Sequence, residues 1–215
     1  MKKYWAKLLL PMFVVLLLIG CGGDGENTEG EDTPNMDDTA QVNEGTTEQT
    51  SPQATAEVKG VNNETVGTVN FSESDDQIKI EANMKGLVPG HHGFHIHEKG
   101  VCEPDAEDGP FTTAGGHFNP DDKTHPGHAG DMPSLYINED GTAEYSATFD
   151  RIKMEHLMEQ ELAVMVHEGP DNFANIPERY LENGASGPDE DTTKTGDAGT
   201  RLACGVIEKV DADSN

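Results

Sequence analysis

Basic side chains are scarce in this sequence: 14 lysines and arginines stand against 41 aspartates and glutamates, a formal net charge of −27. So acidic a chain is not suited to a polyanion, which argues against nucleic acid as a partner and against electrostatic capture by anionic lipid. Acidity of this kind is ordinarily a solvated surface. Apolar residues are also few, 33%, which is low for a globular chain and points to a polar segment diluting a real core. Tryptophan occurs once, as Trp5. The apolar run over residues 8–19 has only twelve residues. As a helix it would reach about 18 Å at ~1.5 Å per residue, too short to span a bilayer. A length of 215 residues accommodates one domain of ordinary size with tails.

That short run has a lysine-bearing start, Lys2, Lys3 and Lys7, so residues 1–20 read as a secretory signal peptide rather than an anchor. Leu18-Ile19-Gly20-Cys21 resembles the bacterial lipobox. The expectation is that Cys21 is lipidated and becomes the mature N-terminus, holding the protein at the extracytoplasmic face of the bacterial cell membrane. Loss of the leader removes three lysines and no acids, leaving 11 bases against 41 acids, a balance of −30. Residues 21–53 carry nine acids after Cys21 and no base. A stretch this polar cannot bury enough surface to offset its ordering entropy, and it reads as a disordered, extended linker. The domain is then residues 54–215.

From Ala54 the texture changes to Val, Ile, Thr and Phe in partly alternating runs, over 54–61, 65–71 and 77–87, with polar turns between them. A fourth run contains His95 and His97. Residues 134–138 and 142–149 flank Glu139-Asp140-Gly141, a hairpin signal, and 161–167 and 202–210 complete the set. Eight short strands and two long loops, 99–133 and 169–200, imply an all-β sandwich or barrel whose loops carry function. Residues 151–160 suit a helical turn, on which His156 reads as an ordinary exposed histidine.

The strand Gly93-Phe94-His95-Ile96-His97-Glu98 organises the rest. Residues two apart on a strand share a face, so both imidazoles project together while Phe94 and Ile96 turn to a core. Further donors follow: His117 in Gly115-Gly116-His117-Phe118-Asn119-Pro120, then His125, His128 and Asp131, then His167 at the end of Val164-Met165-Val166-His167. A histidine cluster with a carboxylate and no cysteine suits copper and zinc better than a structural zinc finger.

These motifs resemble the copper/zinc superoxide dismutases, in their bacterial secreted lipoprotein branch. The resemblance runs from about Ala54 to Val210 and rests on the His95 motif, on Ala114-Gly115-Gly116-His117-Phe118-Asn119-Pro120, and on Gly199-Thr200-Arg201-Leu202-Ala203-Cys204-Gly205-Val206-Ile207. It implies a Greek-key barrel, with copper held by His95, His97, His117 and His167. It implies zinc held by His117, His125, His128 and Asp131, with His117 bridging the two metals. Asp171 matches a carboxylate linking ligands of both metals, and His92 matches a position that packs. Arg201 matches the arginine that attracts and holds the substrate anion, and Thr195 a residue at the channel mouth; Lys194 is expected to add to the attraction. Cys102 and Cys204 match the family's intrasubunit disulfide. One departure stands out: His125 and His128 are three residues apart, where many members place a longer segment.

The activity implied is conversion of superoxide to O2 and H2O2, with His117 moving a proton as copper changes oxidation state. The alternative is a non-enzymatic copper/zinc-binding lipoprotein on the same scaffold. A homodimer is an option the sequence leaves open. Because Trp5 precedes Cys21, protein purified from its native membrane should show no indole emission, and tryptophan fluorescence from that material would contradict processing at Cys21.

Overall fold

A computed structural model describes residues 51–211. The signal peptide, Cys21 and most of the acidic linker lie outside the described residues. The strands are β1 (Ala54–Gly60), β2 (Thr65–Ser74), β3 (Gln77–Met84), β4 (Gly90–His92), β5 (Phe94–His97), β6 (Leu135–Ile137), β7 (Ala143–Phe149), β8 (Ala163–His167), β9 (Leu181–Glu182), β10 (Ala185–Ser186) and β11 (Arg201–Lys209). Two short helices, α1 (Met154–Glu159) and α2 (Glu190–Thr195), join them.

Alternation builds the sheet. In β1, Ala54, Ala56 and Val58 are buried, while Glu57 and Lys59 face solvent; in β3, Ile78, Ile80, Ala82 and Met84 do the same. A period of two fixes register, since a one-residue slip would turn each apolar set outward. The β2–β3 hairpin closes through Asp75 and Asp76, both left-handed (φ 51° and 64°), between paired Ser74 and Gln77. Two central residues with positive φ match the twist of the flanking strands, and aspartate tolerates that conformation.

Seven strands form one antiparallel sheet in the order β5-β8-β11-β1-β2-β3-β7, and β4 pairs with β6 separately. The β1-β2-β3 meander is local. The long connections return β8 and β11 between β5 and β1, a non-sequential order that sets Phe94 opposite Val166 and Ala54 opposite Lys209. One core lies within the curled sheet, and Phe94 meets Tyr145 edge-on there at 5.3 Å. At the β5-β8-β11 end the sheet is covered on its other face too. There Phe111 and Ala114 of the first long loop pack on Ala163, Met165 and Cys204, with Cys102 against them. This double covering places the metal-ligand candidates in a buried layer between sheet and loops.

The all-β expectation holds, with three additions. β4 was not visible in the sequence because Gly-His-His has no alternation and exists through its pairing with β6. The second long loop is not bare: it folds back at Asn183-Gly184 (φ 49° and 85°) into β9–β10 and then forms α2. α2 is capped by Asp189, whose side chain accepts the Thr192 N–H at 2.7 Å, and ends at left-handed Gly196. The helical turn falls at α1, but His156 is half-buried, its ring edge-on to Phe118 at 5.3 Å, rather than simply exposed.

Cys102 and Cys204 form a disulfide that ties the first long loop to β11 across 102 residues of sequence. Closing a loop of that length restricts the unfolded chain most, and removing such a bond costs about 2–5 kcal/mol. Replacing both cysteines by serine should lower the stability of the metal-free protein by that amount in a denaturant titration; a loss below about 1 kcal/mol would show that the loop is held by other contacts.

Candidate metal centre

The centre is built from both long loops and two neighbouring strands. β5 supplies His95 and His97, and its neighbour β8 ends in His167. The pairing sets His95 opposite Met165, while β11 sets Arg201 opposite His167. Single bridges then add the first loop to the edge of β5: His97 faces His117, and His95 faces Asp131. Burial is close to complete, from 0% exposure at His95 to 7% at His117.

Two groups of donor atoms result, each with its atoms within 4.8 Å of one another: His95, His97, His117 and His167, and His117, His125, His128 and Asp131. They are the two sets expected from the sequence, and His117 belongs to both. The short His125–His128 spacing does not keep those residues apart. The intervening turn is closed by the Gly127 N–H donating to Thr124 O at 2.7 Å, and both imidazoles reach the Asp131 carboxylate, His125 Nδ1 at 3.0 Å and His128 Nδ1 at 3.1 Å.

Hydrogen-bond chemistry shows what these groups fit. His97 Nδ1 donates to Gly115 O at 3.0 Å, and His167 Nδ1 donates to Gly199 O at 3.2 Å. A neutral imidazole has one N–H, so in each ring Nε2 is a bare lone pair. Those two Nε2 atoms nevertheless lie 3.4 Å apart. His95 Nε2 donates to Asp171 Oδ2 at 2.8 Å, leaving its Nδ1 bare, and His117 Nδ1 donates to Asp131 Oδ1 at 2.7 Å, leaving its Nε2 bare. Among the described residues, five buried side-chain N or O atoms have no hydrogen-bond partner, and three are His95 Nδ1, His117 Nε2 and His125 Nδ1. The 3.0 Å approach of His125 Nδ1 to Asp131 is thus a close contact without hydrogen-bond alignment. Lone pairs converging in a buried space with no donor between them call for a cation, and four imidazoles suit copper. The second group, three imidazole Nδ1 atoms and a carboxylate, suits four-coordinate zinc.

The outer partners hold this orientation. One carboxylate serves both groups: Asp171 accepts His95 Nε2 and His125 Nε2, each at 2.8 Å, and also the Phe173 N–H at 2.7 Å. This is the link expected of Asp171, and such partners fix the ring and raise ligand basicity. Gly196 makes room for it. Its φ is +64°, and a Cβ there would strike the Asp171 carboxylate and the His125 ring. His92 is buried and packs as expected, with its ring nitrogens against His167 O at 2.7 Å and Val88 O at 2.8 Å. The carbonyls of Gly115 and Gly199 were missed in the sequence, where a backbone acceptor leaves no signature beyond the glycines themselves.

Protonation follows the same geometry. Burial, then the neighbouring imidazoles and Arg201, push His97 and His167 well below the ordinary histidine range. Burial also carries His117 down to about 4, although its hydrogen bond to Asp131 pulls the other way. At His125 burial is overcome by the Asp131 and Asp171 carboxylates, which raise it to about 9. Against their own burial, those carboxylates are held below the carboxylate range by the imidazoles bonded to them.

Arg201 begins β11 half-buried, and its guanidinium donates to Phe111 O and to Gly115 O, the latter at 2.6 Å. Lys194 does not share its role as expected: it forms an exposed ion pair with Glu190 one helical turn away, at 2.6 Å, so its charge is met locally. Thr195 donates to Asp191 O at 2.8 Å, within α2.

A sequence model described as copper/zinc superoxide dismutase (SODC) matches residues 65–207. The chain belongs to this family. Relatives named superoxide dismutase (Cu-Zn) include that of Mycolicibacterium paratuberculosis, 43% identical over 169 residues, covering 73% of this chain and 74% of that protein. Those of Brucella abortus (37% identical; 66% of this chain, 79% of that protein) and Escherichia coli (34%; 67% and 80%) are further matches. Among solved structures, the crystal structure of the clock protein EA4 is similar, with a TM-score of 0.58 and 30% identity over 75% of this chain and 97% of that one.

The raised pKa of His125 has a measurable consequence for this superoxide dismutase family member. In the metal-free protein His125 carries its extra proton below a pH of about 9 and loses it above. A metal at Nδ1 requires that proton to leave. Binding of Zn2+ to the second group at pH 7 should release about one proton from His125, read by calorimetry in buffers of different ionisation enthalpy. The release should fall away as pH rises past about 9, and a release that stays constant across that range would show that His125 is already neutral.

Proposed function

We propose that this protein dismutes superoxide, 2 O2•− + 2 H+ → O2 + H2O2, at a copper held by His95, His97, His117 and His167 and supported by zinc on His117, His125, His128 and Asp131. The observation that carries the reading is the convergence of four unprotonated, buried ring nitrogens beside an arginine fixed by two carbonyls. Copper, when bound, supplies a one-electron couple, and zinc a redox-inert positive charge.

The chain's own residues account for the rest. Arg201 brings a full positive charge next to the copper ligands, and its other N–H groups remain to orient a small anion. His117 is the most accessible of the four imidazoles at 7%. It is also the proton carrier the geometry favours. The outer nitrogens of His97, His167 and His95 are committed to Gly115, Gly199 and Asp171, whereas His117 Nδ1 turns to Asp131, itself one of the candidate zinc donors. A proton on its Nε2 can pass to the reduced oxygen product and be regained from solvent. The long-range repulsion of an acidic protein is cut off by salt over about 8 Å, so the local charge of Arg201 governs final approach.

The lysine-bearing leader, its short apolar run and Leu18-Ile19-Gly20-Cys21 support placement at the extracytoplasmic face through a lipid on Cys21. There the enzyme would intercept superoxide before it reaches the cell.

The test is a superoxide-consumption assay on the metal-loaded domain with metal content measured in parallel. Arg201→Glu should lower kcat/KM by well over tenfold at low ionic strength, with copper retained, and His117→Ala should abolish dismutation. Full activity in His117→Ala would rule out a bridging imidazole, and an unchanged rate in Arg201→Glu would rule out its role in capturing the anion.

A further inference from the structure

Three of the four zinc donors, His125, His128 and Asp131, fall within seven consecutive residues that contain no helix or strand. The far end of this segment is fixed by the sheet: the Gly130 N–H donates to Phe118 O at 2.8 Å, and Gly130 O accepts the Ile96 N–H at 2.9 Å. The near end has a lighter hold, the His125 N–H donating to Thr193 O at 3.0 Å. Both ends must nevertheless stay close, because the Asp131 carboxylate meets the His125 and His128 rings together.

One side chain joins them. Arg151, just beyond β7, donates through Nη2 to Asp131 O at 3.0 Å and through Nη1 to Pro126 O, the carbonyl next to His125. Its guanidinium lies over the Phe149 ring, 4.9 Å from the centroid, which anchors the fork to the end of the sheet. Both acceptors are backbone carbonyls, so Arg151 offers no ligand atom and touches none.

Resting on the zinc reading above, we propose that Arg151 is a positioning residue for the zinc half: its planar fork clasps the two ends of the 125–131 segment and lets the short His125–His128 spacing form a site. Electrostatics alone predicts the opposite sign. A fixed positive charge beside a bound cation weakens it, so deleting that charge should tighten zinc, whereas opening the clasp should loosen it. A lysine keeps the charge but cannot reproduce two parallel donors.

The experiment uses the metal-loaded protein and follows zinc transfer to a chromogenic chelator, together with copper content and the visible spectrum of a Co2+-substituted zinc site. Arg151→Gln should release zinc about tenfold faster or more, in the range found for outer partners of metal ligands. It should alter the Co2+ bands and leave copper stoichiometry unchanged. Arg151→Lys should behave like Arg151→Gln rather than like the parent. Unchanged or slower zinc release in Arg151→Gln, or parental behaviour in Arg151→Lys, would overturn the clasp. A parent protein that takes up neither zinc nor Co2+ would instead overturn the zinc reading itself, and the clasp with it.

Discussion

Four imidazole nitrogens can share one small buried volume only if none of them points a proton at the others. Each ring must therefore place its N–H outward, on an acceptor that does not move. The acceptors here are Gly115 O and the Asp131 carboxylate from the first long loop and Gly199 O and Asp171 from the second. Much of the remaining architecture follows from supplying them. β5 and β8 bring the rings together, and the loops are folded down so that their backbone can receive the outer protons. The Cys102–Cys204 bond and the small cluster around Phe111 keep the first loop in that position. α2, capped at Asp189 and closed at Gly196, shapes the second loop around Asp171.

Charge poses a separate problem that is solved at short range. The chain carries −27 overall, an unfavourable field for an anionic substrate. Among the described residues Arg201 pairs with no carboxylate; its hydrogen-bond partners are two carbonyls, so its charge is oriented without being cancelled. Lys194, by contrast, spends its charge on Glu190. The difference between these cations lies in their partners, which only three-dimensional structure reveals.

The sheet was legible because alternation is a local signal: the runs at 54–61 and 77–87 correspond to β1 and β3 within one to three residues. The clustering of the candidate metal donors was legible because histidines two apart on a strand share a face, and because loop histidines in an acidic chain stand out. What the sequence hid falls under two physical causes. β4 and the β9–β10 pair are too short for periodicity and exist through pairing, although Asn183-Gly184 and the Asp189 cap were turn and helix signals in plain view. The other hidden part is the backbone. Gly115 O, Gly199 O and the carbonyls held by Arg151 have no side chain to mark them, and the fit of His125 beside His128 could not be judged without the turn at Gly127.

The carbonyl of Gly115 accepts from both His97 Nδ1 and Arg201 Nη2. A candidate copper ligand and the arginine proposed to hold the anion are therefore gauged from a single atom, as two parts machined from one datum. Whatever sets the position of that one oxygen sets both at once, so the contacts that hold the first loop down, the Cys102–Cys204 bond and the Phe111 cluster, act on the two sides of the centre together.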